Sequence, residues 1–256
     1  MNDAIAAAIA AIENEHEVRV LYAAESGSRA WGFASKDSDY DVRFIYVHRR
    51  DFYLGISEPR DVIEAMLPGD LDLAGWDLRK TLRLYLRGNY ALNEWLDSSI
   101  VYAERGGLAA GLRQMLPAAF RAPGGYHHYL RMAQGVHGEH LADDPVRLKK
   151  VFYVLRPLLA CRWIRQTGEP PPTAFERLAA AAWVSADERA MIHELEIAKA
   201  AAREADRAPL AAGVRIWLQG ELEAALEASA LLRSTASLTT DQLDRLMIDC
   251  LAEAWA

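Results

Sequence analysis

Asp39 and Asp41 stand eleven and thirteen residues after Ser28, and Gly27 precedes that serine. Residues 40–47 (YDVRFIYV) read as a strand. Positions two apart on a strand point to one side, so Asp39, Asp41, Arg43 and Ile45 share a face, and Tyr40, Val42, Phe44 and Tyr46 share the other. Two carboxylates converging on one face repel unless a cation lies between them. Oxygen-only ligation suits Mg²⁺ or Mn²⁺, which take a few carboxylates and fill the shell with water and substrate phosphates. Gly27-Ser28 follows a β-rich run, residues 18–24, and opens a short helix over 28–31. N–H groups there, with the Ser28 hydroxyl, suit phosphate oxygens. A phosphate cradle beside paired carboxylates is equipment for two-metal phosphoryl or nucleotidyl transfer. Asp37, in an Asp-Ser pair, reads as turn chemistry.

Two rival motifs fail on their own terms. A calcium loop starting at Asp37 wants Gly sixth and Glu twelfth, where this chain has Val42 and His48. A Walker loop starting at Gly27 wants Lys-Ser/Thr after Gly32, where Phe33-Ala34 follow.

The elements that must position these residues are legible from periodicity. A helix is expected over 3–14, and further extended pieces at 61–66 and 71–74. A helix begins after the N-cap Asp77, carries Leu78, Leu82 and Leu86 on one face, and ends at Gly88. Beyond about residue 105 the strand signals stop. Residues 146–166 form a helix with Leu148, Phe152, Leu155, Leu159 and Trp163 on one face and Pro157 inside it as an expected kink. Residues 168–173 (GEPPPT) are a loop. Ser185 with Glu188, and Thr239 with Gln242, make capping boxes, the second backed by a Leu238–Leu243 staple. The expected division is an α/β module over 1–105 and a helical domain over 106–256.

On the 146–166 helix, Lys149, Tyr153 and Arg156 fall at i, i+4 and i+7, beside the apolar face. A cationic, aromatic stripe of this kind suits a triphosphate and a stacked base; Lys150 is the neighbouring alternative to Lys149. Arg29 could meet a phosphate or an acid within the module, such as Glu25. Trp31 and Phe33 read as packing residues first. His127, His128, His137 and His140 lie close in sequence without metal-ligand spacing, and Arg131 with His137 fits the loose R-x(4–6)-H pattern of helical RNases.

The composition is 52% apolar and 25% charged, as in soluble globular proteins, with a formal net charge of −7. That charge opposes extended, non-specific nucleic-acid binding. Cys161 and Cys250 lie in apolar helical surroundings and read as buried thiols of a reducing compartment. The first residues turn acidic and lack a basic leader, and no run is long enough to span a membrane, so a cytoplasmic protein without a membrane partner is expected.

The Gly27-Ser28 and Asp39/Asp41 pattern resembles the signature of the DNA polymerase beta-like nucleotidyltransferase superfamily. The blocks ESGSRAWGFASKDSDYDVRFIY, LDLAGWDLRKTLRLYLRGN, NEWL and KKVFYVLRPLLACRWI resemble one bacterial and phage family of nucleotidyltransferases, the RNA-repair-pathway polymerase beta family, over most of residues 15–180. The resemblance implies an α+β fold: a small mixed β-sheet module with flanking helices, followed by an all-α C-terminal domain completing the nucleotide cleft. It implies transfer of a nucleoside monophosphate from an NTP, ATP among them, to a hydroxyl on RNA, protein or a small molecule, with two Mg²⁺ or Mn²⁺ ions. It also implies a third carboxylate. Asp72, in an apolar-Asp-apolar run, and Asp77 both qualify; the helix cap already accounts for Asp77, so Asp72 is preferred and joins Asp39 and Asp41 as metal ligands. Gly27, Ser28, Arg29, Lys149, Tyr153 and Arg156 are the nucleotide candidates. Two other readings stand beside this one: a non-catalytic nucleotide-binding regulator on the same fold, and a helical-domain RNase or toxin–antitoxin component.

Overall fold

The computed structural model describes residues 1–35, 37–141, 144–201, 206–228, 233 and 236–256. Helix α1 (Asn2–Glu15) buries Ile5, Ala8, Ile9 and Ile12, an i, i+3, i+4, i+7 stripe. There follow β1 (Arg19–Glu25), α2 (Gly27–Trp31), β2 (Tyr40–Val47), β3 (Val62–Leu67), β4 (Leu71–Asp77), α3 (Leu78–Leu86), α4 (Tyr90–Leu96), β5 (Val101–Glu104) and α5 (Leu108–Ala119). Then come α6 (Ala122–His140), β6 (Val146–Arg147), α7 (Leu148–Thr167), α8 (Phe175–Ala179), α9 (Ala186–Ala201), β7 (Arg207–Ala208), α10 (Ala212–Ala228) and α11 (Thr240–Ala254). None of the helices among the described residues is long and apolar enough to cross a membrane.

Strands β3-β4-β2-β1-β5 form one sheet in that order. The β2–β4 pair is parallel and the other pairs are antiparallel. The fold is thus α+β with a mixed sheet and a helical C-terminal region, as expected. One face of the sheet buries Val20, Ala23, Val42, Phe44, Tyr46 and Leu73 against α1. The other buries Leu21, Tyr22, Ile45 and Val47 against α3, α4, α5 and α11. Each such large apolar side chain contributes about 1.5–3 kcal/mol by leaving water.

The chain divides into two compact units, one of residues 1–30, 39–119 and 236–256, the other of 31–38 and 120–235. This differs from the expected boundary at 105, because Leu108, Ala109 and Leu112 of α5 and Leu243 and Cys250 of α11 belong to the sheet's core. Helix α7 runs through Pro157 as one element. Strand β5 and the two-residue β6–β7 ladder were not anticipated; both are too short to carry a periodicity signal.

Candidate active site

Strand β2 begins at Tyr40, so Asp41 enters the sheet one residue later, and Asp39 lies just ahead of the strand, exposed. The parallel register sets Asp41 opposite Asp72, Arg43 opposite Ala74 and Ile45 opposite Trp76. The two carboxylates therefore sit side by side on one face, with the small Ala74 beside the arginine. Arg43 Nη2 donates to Asp41 Oδ1 at 3.0 Å and to Asp72 Oδ2 at 2.8 Å. Its Nη1 reaches the Asp72 carbonyl at 3.2 Å. One guanidinium thus bridges two acids that would otherwise repel. The pairs are only partly exposed, with side-chain accessibilities of 20% for Arg43, 31% for Asp41 and 33% for Asp72, so water screens them incompletely.

Strand β1 ends at Glu25 and the chain turns at Gly27, whose φ of +60° is in the left-handed region that favours glycine. A Cβ at Gly27 would collide with Asp41 Oδ2. The turn therefore lies directly against the carboxylate, and only glycine permits that approach. The Ser26 N–H donates to the Asp41 carbonyl at 2.8 Å, and the Asp41 N–H donates to Glu25 Oε1 at 2.8 Å. Glu25 is fully buried, and Tyr102 of β5 donates to its other oxygen. Burial raises the Glu25 pKa above its ordinary value, against the opposing pull of the Tyr102 and Asp41 bonds. Ser28 is 4% exposed.

Arg29 lies with its guanidinium carbon 3.7 Å from the Tyr40 ring centroid, and its Nε donates to the Asp39 carbonyl at 3.0 Å. It braces the backbone at Asp39. Asp77 is engaged elsewhere: it is 3% exposed, caps α3 through the Arg79 N–H at 2.8 Å, and accepts from Tyr53 Oη at 2.6 Å. Among the described residues no group of three His, Cys, Asp or Glu side chains is gathered as a metal cluster.

In the helical unit, Arg156 is fully buried. Its Nε donates to the Thr173 carbonyl at 3.2 Å, and its guanidinium carbon lies 4.4 Å from the Trp31 ring centroid and 5.8 Å from that of Tyr129. Arg156 thus lies on the covered side of α7, which is buried around most of its circumference, rather than beside the partly exposed Lys149 and Tyr153. Lys149 and Tyr153 are partly exposed, with Lys149 Nζ 5.7 Å from the Tyr153 ring centroid. Trp31 and Phe33 are 8% and 7% exposed and pack with Phe152, Tyr153 and Phe175.

The four histidines are strung along α6, where His127 and His137 are separated by about 15 Å of helix rise. Arg131 and His137, six residues apart, lie about 120° from each other around the same helix and do not share a face. Neither arrangement supports a shared metal or an Arg–His pair.

Sequence reasoning placed Arg43 on the acidic face without a role, and missed Glu25 and Tyr102 as the support of Asp41. Strand alternation puts Arg43 beside Asp41, but its bridge to Asp72 depends on the β2–β4 register. Nothing local marks Tyr102, which arrives from residues 101–104.

The site thus consists of facing acids on the parallel β2–β4 pair of a five-stranded mixed sheet, with a glycine turn against one of them. The chain belongs to the RNA repair pathway DNA polymerase beta family, whose model, RlaP, matches residues 1–249. It is 41% identical over 244 residues to Uncharacterized protein YcgL of Bacillus subtilis (strain 168), covering 95% of this chain and 94% of that protein. A nucleotidyltransferase-like protein from Exiguobacterium sibiricum 255-15 is 13% identical at a TM-score of 0.35, covering 96% of this chain and 88% of that one.

Proposed function

We propose that this protein transfers a nucleoside monophosphate from an NTP to an acceptor hydroxyl and releases pyrophosphate. The observation that carries the reading is the in-register pair Asp41 and Asp72, set against the Gly27 turn, in a chain of a polymerase beta-like family.

Asp39, Asp41 and Asp72 are proposed as the acids of the reaction. Their donors are hard oxygens, the chemistry that fits Mg²⁺ or Mn²⁺. A positive charge, that of Arg43, already stands between two of them, and Asp39 is exposed at the head of the same strand. Bound there, divalent ions would supply charge neutralisation at the attacking and leaving oxygens and lower the pKa of the acceptor hydroxyl. The chain's own contributions are positional. Glu25 and Ser26 fix the backbone on both sides of Asp41. Arg29 holds the Asp39 carbonyl. Asp72 is assigned to receive the acceptor hydroxyl's proton or to orient its oxygen. Gly27 and Ser28 are proposed to face the β- and γ-phosphates of the NTP.

The test is incubation with each labelled NTP, Mg²⁺ and a panel of acceptors: RNA ends, protein hydroxyls and small molecules. Wild type should release pyrophosphate with one combination, and Asp41→Asn and Asp72→Asn should each lose at least a hundredfold. Release that persists in both variants sinks the assignment.

A nucleotide-binding regulator without transfer is the second reading. It is favoured by one observation: Asp41 and Asp72 are both engaged by Arg43. Tight NTP binding with no transfer to any acceptor would select it.

A further inference from the structure

In the helical unit, Arg147 and Arg207 are direct cross-strand partners on the β6–β7 ladder. Like charges in that relation oppose pairing. Lys150, from the first turn of α7, and His140, at the end of α6, line the same cavity, of about 150 Å³, together with Glu139. Glu139 reaches His140 at 3.5 Å. Arg207 Nη1 reaches the Pro145 carbonyl at 3.5 Å. Among the described residues no carboxylate pairs with Arg147, Lys150 or Arg207. The chain has 36 acidic residues against 29 basic ones, so partners are not scarce. Three cations nevertheless converge on one cavity whose one acid among the described lining residues, Glu139, reaches His140 rather than any of them.

We infer that this cavity is a binding site for a phosphate group. Arginine forks match phosphate oxygens two at a time, and a lysine adds a mobile point charge. The volume is below the roughly 300–1,000 Å³ of pockets that enclose whole ligands, which suits a phosphate rather than a complete nucleotide. Lys150 Nζ also lies 5.6 Å from the Tyr153 ring centroid, so a flat aromatic surface adjoins the cations. The choice of phosphate over other anions rests on the transferase reading. Two sources share this chemistry: the polyphosphate of an NTP and the terminal phosphate of an oligonucleotide acceptor.

Titration calorimetry of the full chain without divalent cations tests the site. The probes are pyrophosphate, ATP, and one trinucleotide carrying either a 5′-phosphate or a 5′-hydroxyl. Wild type should bind at least one phosphate-bearing probe. Arg147→Gln/Arg207→Gln should weaken that probe at least tenfold, and Lys150→Gln, which leaves the ladder intact, should weaken it in the same direction. Arg60→Gln/Arg245→Gln, an equal loss of charge at exposed positions outside the cavity, should leave it unchanged. Selective loss of ATP and pyrophosphate assigns the site to the nucleotide; loss of the preference for the 5′-phosphate assigns it to the acceptor. Binding by no probe, unchanged binding in the cavity variants, or an equal effect in the Arg60/Arg245 control overturns the inference. Asp41→Asn, assayed for transfer alone, tests the transferase reading separately; transfer that survives it removes that reading while leaving the cavity's result standing.

Discussion

Asp41 and Asp72 are register partners on the parallel β2–β4 pair, and Arg43 Nη2 joins their carboxylates at 3.0 and 2.8 Å. A divalent cation entering between these acids must compete with that guanidinium for the same oxygens. Anything that binds the folded state in competition with an internal partner binds more tightly once the partner is gone.

Arg43→Gln should therefore destabilise the cation-free protein by about 1–2 kcal/mol, since two partly buried acids lose their counter-charge. The same variant should gain more melting temperature from Mn²⁺ than wild type does. Thermal melts with and without Mn²⁺ read both effects. An equal Mn²⁺ response in the two proteins shows that the cation does not use these oxygens.

Gly27→Ala tests the close approach of the turn to Asp41. The positive φ and the collision with the carboxylate together should cost about 1–3 kcal/mol. Transfer should fall much further than the folded fraction, because the displaced group is a proposed reacting acid. Parallel circular-dichroism melts and turnover measurements separate the two.

Asp72 and Asp77 should part company when each is changed to Asn. Asp77 caps α3 and accepts from Tyr53, so Asp77→Asn should lower stability by about 1 kcal/mol and leave the activity of the folded fraction intact. Asp72→Asn should leave stability nearly unchanged and abolish transfer. The reverse pattern makes Asp77 the third acid.

Glu188 gives the acid limb of stability a specific origin. Burial alone would raise its pKa, but the Arg162 guanidinium and the Ser185 cap outweigh it and hold the carboxyl at about 2, below the ordinary 4.5. A group depressed on folding contributes stability above its unfolded pKa and loses it as pH falls toward the folded one. Its contribution should thus be complete above about pH 4.5 and vanish toward pH 2. Urea melts at pH 6 and pH 3 should show a smaller acid loss for Glu188→Gln than for wild type.

Glu188 also shows where local reading stops. The Ser185–Glu188 box was legible because its two bonds, at 2.7 and 3.2 Å, join residues three apart. The same carboxylate also pairs with Arg162 of α7 at 2.8 Å and accepts from Trp217 Nε1 of α10 at 3.1 Å. Those partners are remote in sequence, and no spacing rule reaches them.

By itself the sequence determined the α1-to-α3 order, the bounds of β2, the two capping boxes and the shared face of Asp41 and Arg43. All of these follow from interactions within a few residues or from the period of two along a strand. Only the tertiary structure decided that Asp72 lies opposite Asp41, that Arg43 bridges them, that Arg156 is buried over Trp31, and that 236–256 belong with the sheet. The register of a parallel pair and the burial of a helix flank depend on which distant surfaces pack together. One residue of slip would send Asp72 to the opposite face of the sheet without altering any local pattern.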